Sequence, residues 1–500
     1  MEMKNYLPGK WTIVSLVLCH FSMFHRSGGS YFALIALIPF FYDLSTTNKL
    51  SKVLGNCIAL QLTLTYECFQ WIFVPAANLW QKSFWETLLI FIFACPLTGL
   101  HIPLFGFFHY KLRKLIQPRW IFPLASASLY TLMDWSYVYV DTTFGVLLHQ
   151  VPWLLSFAAF GSVYALTFFL VLSAEFFAFF FEGRKRMALV PTIIFIALSF
   201  LLRRSEIPGP AVNMTLVQSI DNPGENRQHF DIPEKRSYIG VKRTLEKLLA
   251  KKETTTLTVF PESFMAPYLY HPEDDRARAS VNLFEEAHRQ SQGAFLFGVV
   301  RPHENLLAND IEYREASGVS TFYRKRVLMP FGEQIPGANF FPYLYKIFYR
   351  PLVSVPGTNR TLFHLGEHKF SSVICNEIYY PWLVQDAVRD DADWLIHSGN
   401  ETWLQGEPLG HASLLAAAKI RAVENGISIF KVANYGTTAV ISPTGKIIKQ
   451  FPLGELVIEK SNIPSGRQPT FFAKYPNLFL LLLALVLVTS ILYSWRKKHA

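Results

Sequence analysis

Phe370-Ser371-Ser372-Val373-Ile374-Cys375-Asn376 is a short apolar-rich run that stops on a cysteine, and its neighbours along the chain repeat the pattern. Downstream lie DWLIHSG (393–399), ISIFKVAN (427–434) and TTAVISP (437–443). Upstream lie MTLVQSI (214–220), TLTVFP (256–261), AFLFGVV (294–300) and VSTFYRK (319–325). Runs of this length, rich in β-branched and aromatic residues and bounded by polar turns, predict strands. Residues 237–251, 281–291 and 411–425 carry helical periodicity, the last stopping at Gly426. Strands alternating with helices predict a layered α/β domain, and Pro443-Thr444-Gly445 predicts a tight turn between two strands.

Outside this region the chain changes character. It has 500 residues, 51% of them hydrophobic, which is more than a soluble protein of this size carries. Apolar runs centred on 11–24, 31–44, 53–75, 84–109, 120–133, 152–182 and 187–202 precede the α/β region, and one at 477–493 follows it. Each is a candidate span, since crossing the hydrocarbon takes about 17 to 25 uncharged residues. With a cytoplasmic N-terminus, Lys49 and Lys52, then Lys111, Arg113, Lys114 and Arg119, then Arg184, Lys185 and Arg186, and last Arg496, Lys497 and Lys498 fall inside. Arg26 and Lys82 fall outside. This positive-inside bias predicts about seven spans before the α/β region and one after it, with that region outside the cytoplasm. The expected organisation is a helical bundle over 1–204, an exocytoplasmic domain over 205–470, and a closing helix with a basic tail over 471–500. The net charge of +10 serves this topology and predicts no nucleic-acid partner.

Five cysteines are present, and four of them, Cys19, Cys57, Cys68 and Cys95, sit in apolar runs. Cys375 has no partner in its own region, so it is either inert filler or a thiol kept for reaction. Two other strand ends carry charge: Glu262 follows LTVFP and Lys325 closes STFYRK. Thiol acylation needs a nucleophile, a proton acceptor and a cation for the oxyanion, and these three residues have those types. Glu67 and Glu175, charged groups inside apolar runs, are expected to pair helices.

Pro261-Glu262-Ser263, the run Tyr323-Arg324-Lys325-Arg326-Val327-Leu328-Met329-Pro330-Phe331-Gly332-Glu333, and Ile374-Cys375-Asn376-Glu377 resemble the Glu-Lys-Cys motifs of the nitrilase superfamily. On a domain between membrane spans, this form is similar to the apolipoprotein N-acyltransferases. Ser398-Gly399-Asn400-Glu401-Thr402-Trp403 and the helix from Ala418 to Gly426 resemble further segments of that family. The sequence departs at Asn376, where an aromatic is usual, at Glu401, where an Asp is usual, and at 408–415, which lacks a Gln-His pair.

The resemblance implies a nitrilase-like α-β-β-α sandwich inserted between transmembrane helices, and an inner-membrane enzyme with its catalytic domain on the periplasmic side. It implies Glu262 as base, Lys325 as oxyanion partner and Cys375 as nucleophile. A phospholipid would be the acyl donor and a diacylglyceryl-modified apolipoprotein the acceptor, with no metal or coenzyme required. Supporting roles are expected for Glu333, Glu377, the Asn376 N–H and Trp403. Phe340, Phe341 and Tyr345, with residues 264–270, are expected to form membrane-facing lips. Two alternatives stay open: a nitrilase-like enzyme with another acceptor, and a silent lipoprotein-binding scaffold.

Overall fold

The computed structural model describes residues 7–23, 28–78, 83–93, 95–137, 143–181, 183, 185–206, 211–220, 233–265, 275–304, 306–330, 332–335, 337–338, 340–341, 343, 354–404, 406–464 and 467–499. The chain packs as two compact units, one of Met1–Ser205, Glu407–Gly426 and Pro469–Ala500, the other of Glu206–Gly406 and Ile427–Gln468.

The second unit carries the strands β1 (Ala211–Gln218), β2 (Leu257–Val259), β3 (Ala294–His303), β4 (Leu306–Arg314), β5 (Ser320–Arg324), β6 (Phe363–Leu365), β7 (His368–Ile374), β8 (Trp394–Asn400), β9 (Ser428–Asn434), β10 (Ala439–Ile441), β11 (Ile447–Gln450) and β12 (Val457–Pro464). They form two six-stranded sheets in the orders β12-β1-β2-β3-β4-β5 and β11-β10-β9-β8-β7-β6. The middle of each sheet is parallel, β1-β2-β3 in one and β7-β8-β9 in the other, and both are flanked by antiparallel strands.

Period-two alternation decides what each face buries. Met214 and Leu216 of β1, Leu257 and Val259 of β2, Phe370 and Ile374 of β7, Trp394 and Ile396 of β8, and Phe430 and Val432 of β9 meet between the sheets. Trp394 stacks on Phe370 at 5.6 Å. Fully burying side chains of this size stabilises by about 1.5–3 kcal/mol each, so this layer holds the sheets face to face. Phe295, Phe297 and Val299 of β3 point the other way and meet Val241 and Leu245 of the helix Pro233–Lys251 and Ala277 and Phe284 of the helix Asp275–Ser291. The helix Pro381–Arg389 packs beside β7. The order is therefore helix, sheet, sheet, helix.

All eight expected strand runs are strands, with ends shifted by a few residues; β11 follows the expected Pro443-Thr444-Gly445 turn, and β4, β6 and β12 add to them. β4 escaped sequence reading because Asp310 and Glu312 sit at buried positions, where Arg324, Arg301 and Arg314 neutralise them.

In the helical unit, three helices among the described residues are long and apolar enough to cross a membrane: Gly29–Thr46, Ala158–Phe181 and Leu478–His499. The expected run 84–109 is not one helix. Phe84–Phe93 gives way to a 3-10 turn, Cys95–Gly99, before His101–Leu115, because Pro96 and Gly99 interrupt helical hydrogen bonding. Within Ala158–Phe181 the backbone leaves helical geometry at Gly161 and Ser162, and Glu424 Oε1 accepts hydrogen bonds there from Ser162 Oγ (2.6 Å) and Val163 N (2.7 Å). Glu424 lies on the helix Pro408–Asn425, which ends at Gly426 in the left-handed region, φ 64°. Glu67 contacts His20 at 2.6 Å and Glu175 contacts His109 at 2.9 Å, each pairing two helices.

Candidate active site

Glu262, Lys325 and Cys375 come together at the ends of β2, β5 and β7. Glu262 sits in the turn after β2, and its backbone runs against β3 because position 298 is glycine. A Cβ at Gly298 would lie 2.5 Å from Glu262 Cα and 2.3 Å from Ser263 N. Glu262 is 4% exposed. Its Oε1 accepts from Asn309 Nδ2 at 2.7 Å and faces Lys325 Nζ at 3.5 Å, and its Oε2 accepts from the Asn400 N–H at 2.7 Å.

Lys325 directly follows β5 and is buried. Its ammonium donates to Glu333 Oε1 at 3.0 Å and lies 2.8 Å from Glu333 Oε2. Glu333 is held from two more sides, by the Met329 N–H at 2.7 Å and by Asn309 Nδ2 at 2.9 Å. Asn309 on β4 therefore bridges both carboxylates. Sequence reasoning missed it together with its strand.

One ammonium between two carboxylates splits their acidities. Burial raises the Glu262 pKa, Lys325 lowers it, Glu333 raises it again, and the result lies above the ordinary carboxylate value. For Glu333 burial is outweighed by Lys325 and by the hydrogen bonds from Met329 and Asn309, so its pKa falls below the ordinary value. Burial works against the Lys325 charge, but Glu262, Glu333 and the Cys375 sulfur outweigh it, so the ammonium is held more firmly than in free lysine. Burial and then Glu262 push the Cys375 thiol up, with Lys325 pulling the other way. Carboxyl groups pushed apart in this way separate into a proton acceptor and a fixed charge.

Cys375 opens a 3-10 turn, Cys375–Tyr379, and adopts φ 52°, a left-handed backbone rare for residues other than glycine. Glu377 holds this turn in place. Its Oε2 accepts from Ile374 N and Tyr323 Oη, both at 2.8 Å, and its Oε1 from Arg326 N at 2.6 Å and Val327 N at 3.0 Å. One carboxylate thus ties the turn bearing Cys375 to the segment bearing Lys325. Glu377 is 0% exposed, so it acts through these contacts.

Asn376 is buried, and its Nδ2 donates to Val327 O at 3.4 Å. Trp403 lies partly buried in the turn Thr402–Leu404. Phe340 and Phe341 are 85% and 69% exposed, and Tyr343 beside them is 68% exposed. Tyr345 and residues 266–270 lie outside the described residues.

A second buried pair was not anticipated. Lys431 on β9 contacts Glu401 Oε1 and donates to Thr437 O at 2.8 Å, both charged residues being 0% exposed. Beside it in register, His397 on β8 hydrogen-bonds through Nε2 to the Cys375 carbonyl at 2.9 Å. Burial, reinforced by Lys431, pushes the His397 pKa down to about 3, so the ring is neutral and its Nε2–H donates.

The carbon-nitrogen hydrolase family model matches residues 215–464. An apolipoprotein N-acyltransferase of Haemophilus ducreyi is 31% identical over 180 residues, 35% of this chain and 35% of that protein. One from Vibrio vulnificus is 25% identical over 401 residues, 75% of each. The chain thus aligns with about a third of the length of the first relative and three quarters of the second. An amidase structure from Nesterenkonia sp. aligns with 56% of this chain and 98% of its own at 16% identity and TM-score 0.38. With half of its length matched and its two sheets in place, the chain belongs to the carbon-nitrogen hydrolase family, the nitrilase superfamily.

Proposed function

We propose that the chain is a membrane-bound N-acyltransferase that moves a fatty acyl group from a phospholipid, through a thioester on Cys375, to the α-amine of a diacylglyceryl-modified cysteine at the N-terminus of an apolipoprotein. The observation that carries this reading is the buried set in which Lys325 stands between Glu262 and Glu333 while Cys375 occupies a left-handed turn. The names of the relatives supply the acyl acceptor.

In the first step Glu262 takes the Cys375 proton as sulfur attacks the ester carbonyl. Lys325 and the Asn376 N–H stabilise the oxyanion. The C–O bond breaks, and the lysophospholipid alkoxide leaves with the proton from Glu262. In the second step the acceptor amine attacks the thioester. Its surplus proton passes through Glu262 to the departing sulfur, and the amide remains. The thioester lies above the ester and the amide lies below both, so the overall transfer from ester to amide runs downhill and no external energy source enters.

Both substrates are lipids, and membrane embedding fits them. In this reading 1–204 forms about seven spans, 205–470 the exocytoplasmic catalytic domain, and 471–500 the closing span, with the basic loops and tail in the cytoplasm. The exposed Phe340 and Phe341 suit a surface that meets lipid. The test is whether the chain restores triacylation of a lipoprotein in bacteria depleted of their own enzyme. Restoration by wild type and not by Cys375→Ala is expected. A folded, membrane-inserted wild type that leaves the lipoprotein diacylated overturns the proposal.

A further inference from the structure

We infer that His397 is a positioning residue that aims the oxyanion donor of the Cys375 site. The inference rests on the thioester reading above and extends it to a residue that no site motif includes.

The Cys375–Asn376 peptide is planar and trans, so the Cys375 carbonyl and the Asn376 N–H point in opposite directions from one plane. Fixing one fixes the other. His397 Nε2–H donates to that carbonyl at 2.9 Å. The carbonyl is thereby turned toward β8, and the Asn376 N–H is turned away from it. As the second residue of its 3-10 turn, Asn376 has no acceptor within the turn for this N–H. It is left available for an oxygen arriving at the sulfur.

The peptide needs such an anchor. Cys375 holds φ 52°, a conformation that persists in a non-glycine residue only where its surroundings impose it. Glu377 fixes the turn on its two flanks, through Ile374 N and through the Arg326 and Val327 amides, but none of those bonds sets the rotation of the 375–376 peptide plane. His397 supplies that constraint. The ring is 0% exposed and stands beside Lys431 in the β8–β9 register, and the ammonium favours a neutral imidazole. The donor is therefore Nε2–H throughout the working pH range.

The test separates acylation, which needs an oxyanion donor, from alkylation, which does not. The full-length protein in detergent is treated with a p-nitrophenyl acyl ester, whose burst reports thioester formation, and in parallel with iodoacetamide, whose reaction reports the thiol and its base. Removing one oxyanion-hole donor costs about 10²–10³ in rate. His397→Leu is expected to lose about that factor in the burst rate while iodoacetamide labelling of Cys375 changes by less than about threefold. His397→Gln, which keeps an N–H donor, is expected to recover most of the burst. If the leucine form folds poorly, His397→Met, unbranched and adaptable in a core, takes its place. Equal losses in both reactions, or no loss in either, overturn the inference. A wild type that alkylates at Cys375 but gives no burst overturns the thioester reading instead, so the two failures are distinguishable.

Discussion

The α/β unit buries two lysine–glutamate sets, and they differ in charge balance. Around Lys325 there are two carboxylates for one ammonium. Around Lys431, among the described residues, the paired carboxylate is Glu401, and the ammonium also donates to the Thr437 carbonyl. The balanced pair matches one ammonium to one carboxylate and leaves no surplus charge. The unbalanced set has one carboxylate more than its ammonium matches: burial, with Glu333 adding to it, raises the Glu262 pKa, while Lys325 and the hydrogen bonds from Met329 and Asn309 outweigh burial at Glu333 and lower its pKa. The difference teaches that a buried ion pair is recognisable as chemical machinery by what it leaves uncompensated. In the proposed mechanism Lys431 and Glu401 are scaffold, while Lys325, Glu262 and Glu333 form the proton acceptor beside the Cys375 thiol.

The hardest break is Cys375→Ala. Incubated with phospholipid and no acceptor, wild type should gain one acyl mass that hydroxylamine removes, and the alanine variant none; intact-protein mass spectrometry reads both. An adduct that persists in the variant moves the nucleophile elsewhere. Next in size, Glu262→Gln removes the acceptor from the unbalanced set and should slow thioester formation by about 10²–10⁴, the usual worth of a general base, with the melting temperature little changed. A slowing of less than about tenfold would leave the surplus charge without a role.

The balanced set should break differently. Lys431→Met leaves Glu401 buried without its cation and should destabilise the fold by about 3–5 kcal/mol, while Lys431→Met with Glu401→Leu should cost less than the single change. Chemical denaturation measures both, and a double variant less stable than the single one contradicts the pair's scaffold role. Glu333→Gln sharpens the comparison more gently. It removes the charge that helps hold the Glu262 pKa up, so that pKa falls. The acid limb of kcat/KM, which follows ionised Glu262, should move to lower pH, and a limb moving to higher pH would reverse the assignment of the two carboxylates. The smallest effect belongs to Phe340→Ser with Phe341→Ser: both side chains are exposed, so stability should hold, and activity should drop on bilayer substrate but not on a soluble ester. Equal loss on both would place these rings in the fold rather than at a membrane surface.

Much of this was legible in the chain itself, and the reason is local. Apolar alternation marks eight strands because burial on one or two faces is written residue by residue, and Gly426 marks a helix end because only a left-handed residue closes it there. Glu262, Lys325 and Cys375 were visible because each lies just past a strand, Lys325 and Cys375 directly after β5 and β7 and Glu262 in the turn that follows β2, where a sheet presents side chains at its end. β4 was hidden by Asp310 and Glu312, whose burial is tolerable only once Arg301, Arg314 and Arg324 arrive from elsewhere. Asn309 was lost with it. His397 reads as an ordinary polar residue inside a strand, and Lys431 as a break in an apolar run, until the parallel register of β8 and β9 sets them side by side. Residue types and strand ends are properties of the sequence. Which carboxylates flank Lys325, which carbonyl His397 holds and which groups pair with Lys431 depend on distances of about 3 Å between segments far apart in the chain, and the fold alone sets those distances.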